Sequence, residues 1–322
     1  MQEERLTNIA FTYANDFLCD GAGSQLQRIY GVYALSRIFN VSYWHSPLKE
    51  IGYQGMVALE KNENSLELLD RYNQLFHIPS DIELPNTYAC VSCMIGDGKF
   101  LTDIACEAKE KKNQFFLIKL AFTTPFTDRY PEVFRYAKEI SPFKKKDSLT
   151  FRIAIHVRLG DLPIAHRDRI VPNFHYVEVA QEVIEILKKF QISFVCELHT
   201  EFPTKPLLVT PQHHGMVGRI NEPVILRPEQ YDLREFNELP HLEKHFNEDP
   251  IETLEALATA DLLIMSRSSF SYLSAILNQT GAMVYFPFWH PPLPGWLEWT
   301  PRILFKEQLQ EFCKKWKEHR EI

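Results

Sequence analysis

The sequence predicts an α/β fold made of two doubly wound halves that face a cleft, and three observations lead there. The apolar segment "NIAFTYA" runs into the turn "DGAG" and then into a stretch where Leu26, Ile29, Tyr30, Tyr33, Ala34 and Ile38 recur at i, i+3, i+4 spacing. That spacing predicts an amphipathic helix. With the strand "NVSYWH" behind it, the order is a βαβ unit, whose strands run parallel. The stretch "KEISPFKKKDSLT", with Pro142 and lysines at 144–146, then breaks the pattern and predicts a boundary. Beyond it the alternation of strand and helix starts again. The expected domains are therefore 1–145 and 146–322.

The remaining elements follow in order. "SLELLDRYNQLFHI" reads as a helix and "QFFLIKLAF" as a strand, with "YACVSCM" ambiguous between them. The second half opens on the strongest strand, "FRIAIHVRLGD". The helix "YVEVAQEVIEILKKF" and the strand "ISFVCELHT" come next. "EPVILRP" and "ADLLIMS" are short strands, and "PIETLEALATA" is a helix between them. "SFSYLSAILNQTG" is a helix, "AMVYFPF" the last strand and "FKEQLQEFCKKWKEH" a closing helix.

Composition excludes several classes. The 322 residues are 45% hydrophobic and 24% charged, which is ordinary for a globular chain with a sizeable core. At roughly 100–200 residues per domain, the length suits two domains. The net charge of -7 argues against a nucleic-acid partner, which calls for a basic face. No stretch approaches the roughly 20 apolar residues of a membrane span. The opening "MQEERLTNIAFTYANDF" lacks the apolar core of a secretory signal. The expectation is a soluble, cytoplasmic protein. Of the six cysteines, Cys90 and Cys93 form a C-x-x-C with no second half, so a zinc site of that kind is not expected. The thiols read as reduced and scattered.

Three constellations carry chemistry. Gly21 and Gly23 lie between a strand and a helix start, where backbone comes close to a ligand and free amides favour anions. The alternative is a tight turn for close helix–strand packing. The spacing is not G-x-G-x-x-G, because position 26 is leucine, and the acidic ribose partner of a dinucleotide site is missing. "IAIHVRLGD" delivers His156, Arg158 and Asp161 to the carboxyl end of a strand, where doubly wound sheets bind ligands. The fork of Arg158 suits a phosphate or carboxylate, or else an internal pair with Asp161 that fixes the loop. In "ATADLLIMSRSSFSYLSAIL", Ser268, Ser269 and Ser271 enter a helix, as caps or as phosphate ligands. "HRD" at His166–Asp168 lacks the rest of a kinase signature. No D-x-D occurs to hold a metal on a diphosphate.

Together these stretches resemble a family. "GAGSQLQRIYGVYAL" is similar to the G-x-G-N-Q-x-x-Q-Y-A turn of bacterial α-1,2-fucosyltransferases, "IHVRLGD" to their I-H-x-R-R-G-D, and "SRSSFSYLSAILN" to their S-S-F-S-W-W-A-A-W-L. The order also matches, and the wider superfamily includes α-1,6- and protein O-fucosyltransferases. The resemblance implies a GT-B-type pair of Rossmann-like domains. It implies an inverting, metal-independent transfer of a deoxyhexose, fucose first, from a GDP-sugar to a hydroxyl of a glycan. In that reading Arg158 holds the diphosphate, and His156 and Asp261 contact the nucleoside. Ser268, Ser269 and Phe270 wrap phosphates and base. Gly21, Gly23, Ser24 and Gln25 face the sugar and acceptor from the other domain. The acceptor side falls in 1–145 and the nucleotide sugar in 146–322. Asp20 is the first choice of base, with His156 and Asp161 behind it; a turn-capping role is its structural alternative. No cofactor is implied beyond the donor substrate.

This sequence also departs from the family pattern. Leu159 replaces the second arginine, Ser24 the asparagine, and Tyr272-Leu273 the tryptophan pair. Ala22 stands where related protein O-fucosyltransferases can carry a glutamate. GDP-rhamnose or another nucleotide sugar is the alternative donor, and a non-catalytic nucleotide-sugar or glycan binder of the same fold the alternative function.

Overall fold

The structure, a computed structural model, describes residues 6–16, 20–93, 98–121, 133–145, 147–288, 291–300 and 302–320. Cys19 and Lys146 lie outside these. The chain forms two compact units, Met1–Ile51 with Leu66–Pro142 and Gly52–Ser65 with Phe143–Ile322.

In the first unit, β1 (Leu6–Tyr13), α1 (Ala22–Ile38) and β2 (Val41–Tyr43) realise the expected βαβ unit. After α2 (Met56–Lys61), which belongs to the second unit, come α3 (Leu66–Leu75), β3 (Ala89–Cys93), α4 (Gly98–Glu110), β4 (Phe116–Leu120) and α5 (Val133–Glu139). The ambiguous "YACVSCM" is thus a strand. All three pairings in the order β2-β1-β4-β3 are parallel. β1 sits between neighbours, and Ile9 to Tyr13 are buried, as a two-sided parallel strand requires. Helix α1 departs from the amphipathic expectation. It is buried nearly all round, because it packs against β1, β2 and α5 at once. Tyr33 and Ile38, assigned to its apolar stripe, are only half-buried.

The second unit runs β5 (Phe151–His156), α6 (Leu162–Ala165), α7 (Asn173–Lys189), β6 (Phe194–Thr200), β7 (Leu207–Val209), β8 (Val224–Leu226), β9 (Leu242–Phe246), α8 (Pro250–Ala258), β10 (Leu262–Ile264), α9 (Ser269–Leu277), β11 (Ala282–Tyr285), β12 (Leu297–Glu298) and α10 (Arg302–Glu318). Its six-stranded sheet, ordered β12-β11-β10-β5-β6-β9, is parallel throughout. Phe151, Ile153 and Ile155 point into the core under α7 and α10. The alternate residues meet the other helices: Arg152 bonds Thr259 and the Ala256 carbonyl at the end of α8, and His156 bonds Ser271 in α9. "EPVILRP" contributes not to this sheet but to an antiparallel pair of β7 with β8. The strand β9, "LEKHF", is polar and lies on the sheet edge, which hides it from a hydrophobicity reading.

The expected division at 145/146 differs from these units in one respect beyond a few residues. The segment 52–65 joins the second unit, because Tyr53, Met56 and Leu59 enter its core and the Met56 amide donates to Glu201 Oε2 at 2.8 Å. Gly215 is held at φ +77, and a Cβ there would run into the Gly52 carbonyl. Among the described residues no helix is long and apolar enough to cross a membrane.

Asp261, expected near the nucleoside, lies at the other end of the sheet. It precedes β10 at the level of Arg152, whose backbone N–H donates to its Oδ2 at 2.9 Å. Its Oδ1 accepts from Lys145 Nζ and from Trp316 Nε1, and Arg320 stands 3.7 Å away. With 1% exposure, it joins the entry to β5 to the closing helix α10 and does not meet His156. Asp261→Ala is expected to cost about 3 kcal/mol or more, because Lys145 and Trp316 lose a buried partner. A urea unfolding midpoint within experimental scatter of wild type would contradict this.

Candidate active site on the second sheet

The order of the second sheet locates a crevice. From β5 the chain winds outward through β6 and β9, then returns to the other side of β5 with β10. Ligands of doubly wound sheets bind outside the strand carboxyl ends at such a reversal. Here that point is bordered by the β5–α6 turn, 157–161, and the β10–α9 turn, 265–268.

The β5–α6 turn is built around buried charge. Asp161 has no exposed side-chain surface. Its Oδ1 accepts from Arg158 Nη2, and its Oδ2 from Arg219 Nη1 at 3.1 Å. The other arm of Arg158 donates to Glu201 Oε1 at 2.6 Å, and its guanidinium lies 4.8 Å from the centre of the Tyr53 ring. Glu201 also anchors the backbone, since its carbonyl accepts from the Gly160 amide at 3.0 Å. Tyr231 donates its hydroxyl to the Gly160 carbonyl at 2.9 Å. Glycine is demanded at 160: φ is +35, and a Cβ would lie 2.6 Å from Glu201 Oε1 and 2.8 Å from the Tyr53 oxygen. Burial, then Glu201 and Asp161, push the Tyr53 phenol well above its usual range.

The other side of the crevice is a hydroxyl network. His156, 7% exposed, ends β5. Its Nδ1 shares hydrogen bonds with Ser271 Oγ and, at 3.0 Å, with Ser266 Oγ. The two serine hydroxyls are 2.9 Å apart. Burial, with Arg158 and His199 pushing the same way, lowers the His156 pKa to about 3, so its imidazole is neutral at pH 7. The Phe270 ring stands 5.5 Å from that of His156. Ser268 caps α9, its side chain accepting from the Phe270 amide at 3.2 Å, and Ser269 is the first helical residue. Arg267 reaches the Asp168 carbonyl at 3.3 Å, and Arg169 lies close enough to Arg158 and Arg219 for their charges to lower its pKa, after burial. Arg158, Arg169, Arg219 and Arg267 are thus collected at the crevice, with Asp161, Asp168 and Glu201 as counter-charges.

The structure brings His156, Arg158, Asp161, Ser268, Ser269 and Phe270 to one rim and leaves Asp261 at the far end. Of the two readings of Arg158, the internal pair with Asp161 is the one seen, and its other arm holds Glu201, so both arms are on protein carboxylates. Asp161, an alternative base, is sealed between two guanidiniums. In the first unit, Gly21 is the N-cap of α1 with φ −63, so it needs no glycine-specific backbone, and Gly23 lies in the first helical turn. Asp20 pairs with Arg28 at 2.6 Å and is 36% exposed. Gln25 is buried and directed inward, its Nε2 donating to the carbonyls of Asp20 and Glu50, both at 2.8 Å. Ser24 is half-buried on α1. Glu201, Arg219, Tyr53 and Tyr231 went unseen in the sequence because no local pattern marks a partner more than 40 residues away.

No protein-family model and no curated protein sequence matches this chain. Solved structures similar to it include POFUT1 in complex with GDP, at 13% identity over 86% of this chain and 97% of that one, TM-score 0.44. Another is E. coli heptosyltransferase WaaC with ADP-2-deoxy-2-fluoro heptose, at 13% identity over 97% of this chain and 99% of that one, TM-score 0.38. Neither identity nor score specifies a donor or an acceptor.

The neutral His156 predicts a pH dependence. The unfolded imidazole takes up a proton near pH 6.5, whereas the folded one resists until about pH 3. Below pH 6.5 the unfolded state therefore binds more protons, and stability falls as pH falls. His156→Gln should flatten the stability profile between pH 6 and 4 by up to about 1.4 kcal/mol per pH unit. Parallel profiles for the two proteins, from urea melts across that range, would contradict a buried neutral His156.

Proposed function

We propose that this chain is an inverting glycosyltransferase that holds a nucleotide-sugar donor at the β5/β10 crevice of its second unit. The donor read from the motifs is GDP-fucose or another GDP-linked deoxyhexose, and the acceptor a glycan hydroxyl. The observation that carries the reading is one place in the fold. At the reversal of a parallel sheet, a serine-capped helix start and Arg267 share the β10–α9 turn, and Arg267 bonds the Asp168 carbonyl next to Arg169. Helix-start amides and guanidiniums are the groups that bind a diphosphate.

The acceptor oxygen attacks the anomeric carbon on the side away from the diphosphate. The bond to the phosphate oxygen breaks, and the nucleoside diphosphate leaves with the electron pair. Arg267 and the Ser269 end of α9 take up the charge that develops there, preorganised and without solvent rearrangement. Arg158 serves this site from behind. By gripping Asp161 and Glu201 it fixes the turn that forms one wall, so its loss would disturb folding as well as binding. The reading assigns no metal to the step. The acceptor proton passes to a carboxylate, for which Asp20 is proposed.

GDP at millimolar concentration should raise the melting temperature, since a ligand of the native state stabilises it by mass action. Arg267→Ala should weaken GDP binding about tenfold or more, equivalent to one charge-assisted contact. If GDP, UDP and ADP all leave melting unchanged, the donor-site reading fails. Separately, Asp20→Asn should slow transfer about a hundredfold or more while leaving GDP affinity within a factor of two, as expected for loss of a general base. Unchanged transfer in that variant would remove Asp20 from the role.

A further inference from the structure

β5, β6 and β9 bring three histidines into line, because His156 pairs in register with His199, and His199 with His245. His156 is accounted for by its serine hydroxyls and His245 bonds Glu248 through Nδ1, but His199 has no such partner among the described residues. His199 is 2% exposed, and among the described residues neither of its ring nitrogens has a hydrogen-bond partner. His245 Nε2 is buried and makes no hydrogen bond among the described residues, with Glu243 Oε2 3.8 Å away. Glu197 stands 3.9 Å from His199 Nε2, too far to bond, and both its oxygens are taken by Arg152 at 2.8 Å. Bare nitrogens in the interior forfeit their hydration with nothing in return. Two imidazoles and a carboxylate are the donor set for a borderline divalent cation.

We propose that His199, His245 and Glu248 form a binding site for a zinc-class divalent cation. One ligand atom from each lies within 4.8 Å of the other two. The rings of His199 and His245 are stacked at 4.6 Å, and Glu248 Oε1 accepts from His245 Nδ1 at 2.8 Å. Tetrahedral ligands at zinc distances sit roughly 3.4 Å apart, so the site must contract. His199 is the fixed anchor, while His245, 29% exposed, and Glu248, 38% exposed, have the freedom to close on it. The chain between them is already bent for this. Asn247 has φ +56, its amide donates to the Thr200 carbonyl at 3.1 Å, and its side chain accepts from Phe202 at 2.9 Å. That turn carries Glu248 back over the end of β9. The cation would clamp the edge strand β9 to β6, one strand from His156. It is a site apart from the donor crevice and does not depend on the proposed transfer.

The test uses the full chain, stripped with a chelator and titrated with zinc chloride by calorimetry, with elemental analysis after dialysis. One zinc per chain is expected, together with a higher melting temperature. Magnesium should bind far more weakly, because a hard cation prefers oxygen ligands. His245→Ala, at a half-buried position, and Glu248→Gln, at an exposed one, should weaken zinc at least tenfold, as should His199→Ala if it folds. His213→Ala should leave zinc affinity unchanged, since His213 bonds Thr210 elsewhere. No stoichiometric zinc, or zinc bound equally well by His245→Ala and Glu248→Gln, would overturn the proposal.

Discussion

Asp161 is a carboxylate cut off from water at the end of the central strand of the second sheet, and the β5–α6 wall is arranged around that fact. Removing a charge from solvent is costly unless counter-charges and hydrogen bonds replace the lost hydration. Arg158 and Arg219 supply both. Once Arg158 is committed to Asp161, its second arm needs an acceptor, and Glu201 at the end of the next strand provides it. Glu201 in turn captures the Met56 amide, which helps draw the segment 52–65 into this unit and sets Tyr53 under the guanidinium. The turn at Gly160 has room for no side chain because these groups close on it from two directions.

A guanidinium on the carboxyl rim of a parallel sheet suits an anionic ligand, but the same planar fork suits two protein carboxylates equally well. Here the fork is spent internally, on Asp161 and Glu201. Across the sheet, His156 shows the complementary solution. It is buried as a neutral ring and satisfied by Ser266 and Ser271, whereas among the described residues the next histidine in the row, His199, has no hydrogen-bond partner.

The alternation of strands and helices, the glycine turn ahead of α1 and the serine entry into α9 were all legible, because each is encoded within a dozen neighbouring residues. Local signals failed where context outweighed them. Helix α1 carries an amphipathic spacing but is enclosed on most sides. The strand β9 is too polar to be recognised, since an edge strand buries little. "EPVILRP" has the composition of a core strand but pairs only with β7.

The sequence by itself determined that the chain is an α/β protein in two parts, with His156, Arg158 and Asp161 at one strand end and Ser268 to Phe270 at a helix start. These follow from periodicity, capping chemistry and the geometry of a strand that must end where its apolar run ends. Only the tertiary structure decided which of those groups have partners. Arg158 meets Glu201 across 43 residues, Asp261 turns away to Trp316 across 55, and His199 stacks on His245. Such pairings depend on strand order and register, set by the packing of the whole sheet rather than by any stretch of it.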